Sequence, residues 1–571
     1  MGENDEGGDG MAAQLIVHGG VVPELGLDSG ANATEVAGRP SAVAMSDGRI
    51  TAIGGEELLQ LADGSTRIID AQGGVILPGI NDGHLHFAAS AMTRYAHLQL
   101  KDAQSWQEVV DRIEAASPDP GGWVRAAGWD EAVLGTDGSE NLATARPDTP
   151  VVAFDASGHQ VMVNDEALRR MDLGEKVPDV PGGVVGRNHD GSVNGRFADA
   201  AMRLVNDSLP PFAEDQLRQA FLRFQDELHM LGVTSLTDPG LGPGGRTLMA
   251  ASCDTPSLQI LTELARDGLL SLRVNCLLLF AGTGGESAQS VREGLESALP
   301  ALAEDVDPLR LRIAGVKVFA DGIPRSGTAW FHDEYQLPCS HGHGALVLEG
   351  TSDEDRVDQF RAILAQIDAA GLQAGVHATG DAATEAFIEA VESLPDPRGA
   401  KNNRHYVIHG AFADNSVLQR MARAGIGYST NPSIRSEAGA LMQRLLGQQR
   451  FEAQQPLATA AERGVGVSLA SDSPVTSPDW RQSVIAAVTR NTSAGPGDGE
   501  PERLTQAQAL AMMTQTPAWQ DHAEQDKGWI REGYLADLCI LRDPLSARVE
   551  ELLNNPTSYT IVGGNVVYER G

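Results

Sequence analysis

The sequence has few cysteines, and they are far apart. Only four occur in 571 residues, namely Cys253, Cys276, Cys339 and Cys539, and no two of them form a CxxC pair. This arrangement is unlike the disulfide framework of a secreted protein. The spacing therefore favours a reducing compartment, and we expect a cytoplasmic protein.

Positive charge is also scarce. The sequence has 43 Lys and Arg residues and 78 Asp and Glu residues, which gives a formal net charge of −35. Nucleic-acid binding requires clustered Lys and Arg, and docking on an anionic membrane requires a basic surface. The composition argues against both partners and leaves a small-molecule substrate as the expected one.

Long apolar runs are missing too. No stretch approaches the ~18 apolar residues of a membrane-spanning helix, so we expect a soluble protein. Residues 1–12 are acidic and rich in glycine, whereas a secretory signal begins with a basic segment followed by an apolar one. We expect this segment to be a disordered tail.

Both ends of the chain have the character of a β-sheet. Residues 13–77 and 524–571 contain short β-type runs, such as LIVHGGVV and TSYTIVGGNVVYE, separated by Gly and Asp turns. Two β-rich ends on either side of one long middle predict that the termini pair. We expect them to form a small composite β-sandwich.

The middle of the chain, residues 78–523, alternates short apolar runs with amphipathic helical stretches. This alternation is typical of an α/β protein with a parallel sheet, and eight candidate strands predict a (β/α)8 barrel of the TIM type. The first predicted strand ends near Phe87. The stretch that follows it is too long for a loop of ~2–6 residues. We therefore expect an inserted subdomain at about 98–215, over the active-site face.

Ligand-type residues lie near the ends of several predicted strands. His84 and His86 stand two residues apart after the first strand, so both imidazoles face the same side. An isolated HxH is more often a turn or capping motif. Here, however, four further residues each follow a different strand, at the end where barrel enzymes assemble their sites: Lys317, His377, His409 and Asp472. Each could be a surface base, a cap or a packing residue by itself, but together they predict one site.

Several stretches resemble the amidohydrolase superfamily, specifically the branch that includes N-substituted formamide deformylases. They are LPGINDGHLHF, GVKVFADG, VHATGDAA, YVIHGAF, LASDSPV, GWIREGYLADLCILRDP and TIVGGNVVY. The resemblance implies a metal-bearing (β/α)8 barrel with a β-sandwich made by both termini. It also implies that His84, His86, His377 and His409 bind metal, that Lys317 bridges two ions after carboxylation by CO₂, and that Asp472 is a metal-linked acid and base.

The chemistry of these side chains is consistent with those roles. Neutral imidazoles and carboxylates suit Zn²⁺ or a similar divalent ion, with one or two ions per chain. An ammonium group has no lone pair, so Lys317 can be a ligand only as a carbamate. A metal lowers the pKa of bound water toward ~7, which provides hydroxide at neutral pH. Asp472 would take the water proton and deliver it to the leaving nitrogen.

Two stretches in the insertion, RAAGWDE and FDASGHQVMVNDEAL, also resemble the family. The matching positions make Trp129, His159 and Asn164 candidates for substrate binding, although Trp129 and His159 could instead pack the core of the subdomain. Asp321 and Arg490 are further candidates of the same kind.

The expected function is hydrolysis of an amide-type C–N bond in an N-substituted amide, formamide or N-acyl compound. Cyclic amide opening or deamination is the alternative within the superfamily, and Lys317 weighs against deamination because deaminases commonly use one metal and no bridging lysine. A non-catalytic scaffold is a third reading, but such proteins lose ligands first and none is missing here. The sequence leaves open the substrate, the metal and whether the protein is a homodimer.

Overall fold

The computed structural model describes residues 12–26, 38–136, 140–173, 177–180, 183–247, 255–298, 305–336, 342–395, 402–497 and 501–571. The expected tail is outside this part of the chain except for its last residue, and so are Cys253 and Cys339. The chain divides into two compact units. One comprises Met1–Asn81, Asp226–Ser235 and Thr505–Gly571, and the other comprises Asp82–Gln225 and Leu236–Leu504.

The strands are numbered in chain order. They are β1 (Leu15–Pro23), β2 (Gly38–Ser46), β3 (Arg49–Gly54), β4 (Arg67–Asp70), β5 (Val75–Pro78), β6 (Ile80–Asp82), β7 (Leu98–Gln99), β8 (Val124–Trp129), β9 (Val151–Asp155), β10 (Gln160–Val163), β11 (Gly183–Arg187), β12 (Val193–Asp199), β13 (Val233–Leu241), β14 (Arg273–Leu278), β15 (Leu311–Phe319), β16 (Gln373–Ala378), β17 (Tyr406–His409), β18 (Gly427–Thr430), β19 (Val467–Leu469), β20 (Leu538–Leu541), β21 (Thr557–Val562) and β22 (Asn565–Glu569).

The part of the chain that the structure describes contains the following α-helices. They span Phe87–Tyr95, Trp106–Ala115, Glu131–Leu134, Asn141–Thr144, Asp165–Met171, Arg203–Asn206, Glu214–Met230, Thr255–Arg266, Ala288–Ala298, Asp353–Ala369, Asp381–Glu392, Asn415–Ala424, Pro432–Leu446, Gln448–Glu452, Leu457–Glu462, Trp480–Thr489, Gln506–Ala511 and Gln515–Gln520. Among the residues that the structure describes, no helix is both long and apolar enough to cross a membrane.

Strands from both ends of the chain form one sheet in the order β22-β21-β20-β5-β1-β2-β3, with β4 paired to β1. Its apolar side chains, among them Val17, Val43, Leu538 and Ile561, pack into one buried cluster. The structure does not confirm the expected β-sandwich. Because β5 pairs edge to edge with β20, the two ends continue a single sheet.

The eight predicted barrel strands are all present. They form a sheet in the order β19-β18-β17-β16-β15-β14-β13-β6, and the pairs from β14 to β19 are parallel. The segments after the two edge strands also meet, because the Asp472 N–H donates to the His84 carbonyl at 2.8 Å and the His86 N–H donates to the Ser473 carbonyl at 3.0 Å. The result is a nearly closed α/β barrel whose strand ends converge.

A third sheet occupies the long segment between β6 and β13. Its order is β11-β12-β10-β9-β8-β7, and β9 and β10 pair antiparallel. The short connection between β9 and β10 carries His159, and β12 ends at Asp199. Because β10 also pairs with β12, His159 and Asp199 lie side by side although they are 40 positions apart in the sequence.

Candidate metal centre

The barrel brings the six predicted ligand residues to one end of its strands. His84 and His86 follow β6, Lys317 lies in β15, His377 in β16, His409 ends β17 and Asp472 follows β19. The carboxylate of Asp472 lies between the first two imidazoles, with its Oδ1 3.0 Å from Nε2 of His84 and 3.3 Å from Nε2 of His86. All three side chains are buried.

The two later histidines extend this cluster. The ring centroids of His84 and His409 are 5.7 Å apart, and those of His409 and His377 are 4.6 Å apart. One ligand atom from each of His84, His409 and Asp472 lies within 4.8 Å of the other two. A single divalent ion could therefore be reached from three strands of the barrel.

Lys317 is almost completely buried in β15, with 1% of its surface exposed. Its Nζ lies 4.5 Å from the centroid of the Phe319 ring, and Phe319 is paired in register with His377 on β16. Burial lowers the pKa of Lys317 to about 7, against the opposing effect of Asp472 and two other carboxylates. A neutral amine is the form that can react with CO₂.

The protonation states also suit metal binding. Burial lowers the pKa of His84 and His377 well below the usual histidine value, and it lowers that of His409 to about 4. Burial alone would raise the pKa of Asp472, but the neighbouring imidazoles outweigh it and lower that pKa well below the usual range. Neutral imidazoles and an ionised carboxylate are the states in which these groups bind a cation.

Hydrogen bonds select which ring nitrogen is available on two of the histidines. The His409 Nδ1–H donates to Asn431 Oδ1 at 2.8 Å, and the Asn431 amide in turn donates to the Ala470 carbonyl at 3.3 Å. The His377 Nε2–H donates to the Gly322 carbonyl at 3.1 Å. The lone pair is therefore on Nε2 of His409 and on Nδ1 of His377.

The backbone is strained at two of these residues. His409 has φ +71° and Asp472 has φ +56°, in the left-handed region that residues other than glycine rarely adopt. Such conformations persist only where the surrounding structure imposes them, and they are common at functional sites.

A bound metal would account for polar atoms that are otherwise unsatisfied. Both ring nitrogens of His84 and Nδ1 of His86 are buried and make no hydrogen bond to any part of the chain that the structure describes. Nε2 of His84 lies 3.0 Å from Asp472 Oδ1 but lacks the alignment of a hydrogen bond. A buried polar atom without a partner is costly, whereas two ligands of one ion approach each other in this way. The donor set fits a divalent cation.

Three of the five predicted substrate-binding residues form hydrogen bonds to backbone groups of the fold, and their role in substrate binding stays a prediction. Trp129 packs against Trp106, and its Nε1–H donates to the Ala153 carbonyl at 2.9 Å. Both atoms of the buried Asn164 amide are used, because Oδ1 accepts from two backbone N–H groups and Nδ2 donates to neighbouring carbonyls. Arg490 is buried and donates to the Gln454 carbonyl at 2.6 Å. The sequence stretches that contain these three residues do not distinguish packing from ligand contact.

Asp321 and His159 lie beside the candidate ligands. The Asp321 carboxylate is fully buried, stands 3.8 Å from Nε2 of His377, and accepts three backbone N–H groups at 2.9 Å each. It therefore holds the loop after β16. The His159 ring centroid lies 5.9 Å from that of His377, so the insertion places this imidazole at the cluster.

Four residues at the site were missed by the sequence analysis. Asp82 accepts hydrogen bonds from the His84 N–H and the Ser471 N–H, both at 3.2 Å, and so links the first barrel strand, β6, to the segment after the last one, β19. Asn431 holds His409, Asp199 holds His159 at 2.8 Å, and the buried Glu286 accepts from the Phe319 N–H at 3.0 Å. Asp82 could have been found from its position two residues before His84, but the other three depend on long-range pairing.

Comparison with known proteins gives consistent matches over nearly the whole chain. A sequence profile described as the amidohydrolase family matches residues 67–568. The protein named "Putative amidohydrolase YtcJ" from Bacillus subtilis (strain 168) is 26% identical over 98% of this chain and 100% of its own length. An N-substituted formamide deformylase from Arthrobacter pascens is 26% identical over 93% of this chain and 95% of its own length.

A solved structure also has a similar fold. The crystal structure of an uncharacterized metal-dependent hydrolase from Pyrococcus horikoshii OT3 superposes with a TM-score of 0.70 at 21% identity, and the alignment covers 94% of this chain and 98% of that one.

Proposed function

The chain belongs to the amidohydrolase family, and from this premise we propose that it is a metal-dependent hydrolase that cleaves the amide-type C–N bond of an N-substituted amide, formamide or N-acyl compound. The observation that carries the proposal is the group formed by His84, His409 and Asp472, whose ligand atoms lie within 4.8 Å of one another. The name of the deformylase relative supports a linear amide as the class of substrate.

We assign metal binding to His84, His86, His377, His409, Asp472 and a carboxylated Lys317. The ion is Zn²⁺ or a similar divalent cation, because imidazole and carboxylate donors suit it. A divalent ion held by these side chains would lower the pKa of a water molecule and polarise the substrate carbonyl, which is the chemistry that amide hydrolysis requires.

Asp472 is the proton carrier of this proposal. Its carboxylate is buried, ionised and within 3.3 Å of two imidazoles, so it can accept a proton from the attacking water. The same carboxyl group then donates that proton to the leaving nitrogen, because an amine departs readily only when it is protonated.

The domain boundaries, the compartment and the partners of the protein are also proposed from the sequence. The boundaries expected from the sequence, 13–77 with 524–571 for the terminal domain and 78–523 for the barrel, remain predictions. So do the cytoplasmic location and the absence of nucleic-acid and membrane partners, which depend on composition and charge.

The test is a hydrolysis screen of the zinc-loaded protein. A panel of N-formyl and N-acyl amines is incubated with the full chain while released amine is measured and zinc is counted by mass spectrometry. We expect turnover of linear amides with close to two zinc ions per chain. Turnover of cyclic amides or release of ammonia, with one ion per chain, would favour the alternative within the family. A protein that binds no zinc under these conditions and cleaves none of the amides would refute the proposal.

A further inference from the structure

Asp199 has a buried carboxylate and is linked to His159 by two hydrogen bonds. Its Oδ1 lies 2.8 Å from Nδ1 of His159, and its backbone N–H donates to the His159 carbonyl at 2.9 Å. Only 1% of Asp199 is exposed. Its backbone has φ +48° and ψ −129°, a conformation that residues with a side chain rarely adopt. A strained residue that binds both the imidazole and the backbone carbonyl of one histidine points to a functional reason.

The hydrogen bond to Asp199 determines which ring nitrogen of His159 is available to a ligand. Nδ1–H is directed at the Asp199 carboxylate, so Nε2 is the atom left to meet a ligand. No residue that the structure describes forms a hydrogen bond with Nε2. The side chain is 12% exposed, and its ring lies beside His377 and Phe319, at centroid distances of 5.9 and 6.5 Å.

The carboxylate is also tied to the barrel. Thr328, in the loop after β15, places its Oγ1 3.4 Å from Asp199 Oδ2 and accepts the Ile323 N–H at 3.1 Å. Asp199 therefore joins β12 of the insertion, the loop that carries His159 and a loop at the mouth of the barrel. This connection fixes the position of the His159 ring relative to the candidate ligands.

On the basis of the proposed hydrolase function, we propose that His159 is a second catalytic residue, whose Nε2 donates a hydrogen bond to the acyl oxygen of the substrate, and that Asp199 is its positioning residue. Amide hydrolysis places negative charge on that oxygen in the transition state. The side chains assigned to the cation bind through lone pairs, so a hydrogen bond donated by His159 would add to the polarisation of the carbonyl by the ion. With Nδ1–H directed at Asp199, Nε2 carries a proton only when the ring is an imidazolium, and the neighbouring carboxylate stabilises that form.

The experiment compares Asp199→Asn, His159→Gln and the double variant in the zinc-loaded full chain. Asn keeps the shape of Asp and its short polar side chain, so the variant should fold. We expect each single change to lower kcat about 10²-fold with KM little altered, as for the loss of one oxyanion donor. The double variant should be no slower than His159→Gln alone, since both changes remove one function. Zinc content should not change.

A matched control and a binding measurement complete the test. Asp155, a buried carboxylate at the end of β9, directly precedes the loop that carries His159. It accepts the Gln160 N–H without a hydrogen bond to the His159 ring, so Asp155→Asn should cost less than threefold in kcat. Calorimetry with methylphosphonate, a tetrahedral anion, should show at least tenfold weaker binding to His159→Gln and to Asp199→Asn than to the unaltered protein.

The outcomes separate the two proposals. Three results would overturn the role of the pair. They are a wild-type kcat in Asp199→Asn, losses in kcat that multiply in the double variant, or a loss in Asp155→Asn as large as that in Asp199→Asn. If the unaltered protein binds zinc but cleaves no amide, the hydrolase proposal fails, and the methylphosphonate measurement still decides whether Asp199 and His159 act together on an oxyanion.

Discussion

Replacement of Lys317 by Ala should remove the metal bridge without unfolding the barrel. Lys317 has a pKa of about 7 because burial outweighs the attraction of Asp472, Glu286 and Asp238. At pH 7 roughly half of the side chain is then the neutral amine, against roughly one in 3,000 for a lysine at the ordinary value. The buried position thus raises the reactive form about 10³-fold, which is the reason to expect carboxylation here.

The assay measures both metal and carbamate. Zinc per chain is determined after dialysis, and the carbamate carbon is followed by NMR after loading with ¹³CO₂. We expect a carbamate signal in the unaltered protein and none in Lys317→Ala, which should keep at most one tightly held zinc ion. Acetate or propionate should restore part of the second ion and of the activity, because a small carboxylate can occupy the space left by the side chain.

The same reasoning gives a pH dependence. At a fixed concentration of dissolved CO₂, labelling of the metal-free protein should fall as the pH drops through 7, since the amine becomes protonated. At pH 6 only roughly 10% of the amine is neutral. Full zinc content in Lys317→Ala, or labelling that is insensitive to pH between 6 and 8, would refute this account of Lys317.

Three further predictions test other side chains. Asp472→Asn should keep zinc but lower kcat by about 10²–10⁴-fold, because the amide preserves the shape and loses the proton carrier; normal turnover would remove that assignment. Asn431→Leu should weaken zinc binding about 10–100-fold, since His409 loses the hydrogen bond that fixes its Nδ1–H, and an unchanged affinity in a chelator competition would contradict it. Burial lowers the pKa of His97 to about 4, so the unfolded chain takes up the proton first and about 3 kcal/mol of stability is lost as the pH falls from about 6.5 through 4. His97→Gln should lose that much less stability over the same range in urea unfolding, and parallel curves for the two proteins would show that His97 contributes nothing to acid sensitivity.

The barrel could be predicted because its signal is local. Each buried parallel strand is a short apolar run, and a ligand-type residue near its end falls at the same edge as those of its neighbours. For this reason His377 and His409, 32 positions apart in the sequence, could be placed together without coordinates. The sandwich was not confirmed, because β-type runs predict strands but not whether they continue one sheet or stack as two.

The insertion shows what such reasoning leaves undecided. Trp129, His159 and Asn164 lie in stretches of the same kind, yet Asn164 is saturated by backbone groups and His159 stands at the cluster. Residue type alone does not reveal this difference. It depends on which neighbours the fold supplies.

The sequence by itself determined the strand count, the convergence of His84, Lys317 and Asp472 at one end of the barrel, and the charge that argues against nucleic-acid and membrane partners. Only the tertiary structure decided which ring nitrogen of each histidine is available, and which polar side chains serve the fold. Those properties depend on hydrogen bonds between residues far apart in the chain, such as Asp199 with His159 and Asn431 with His409. Local patterns specify backbone periodicity, whereas the pairing of buried polar groups exists only once the chain has folded.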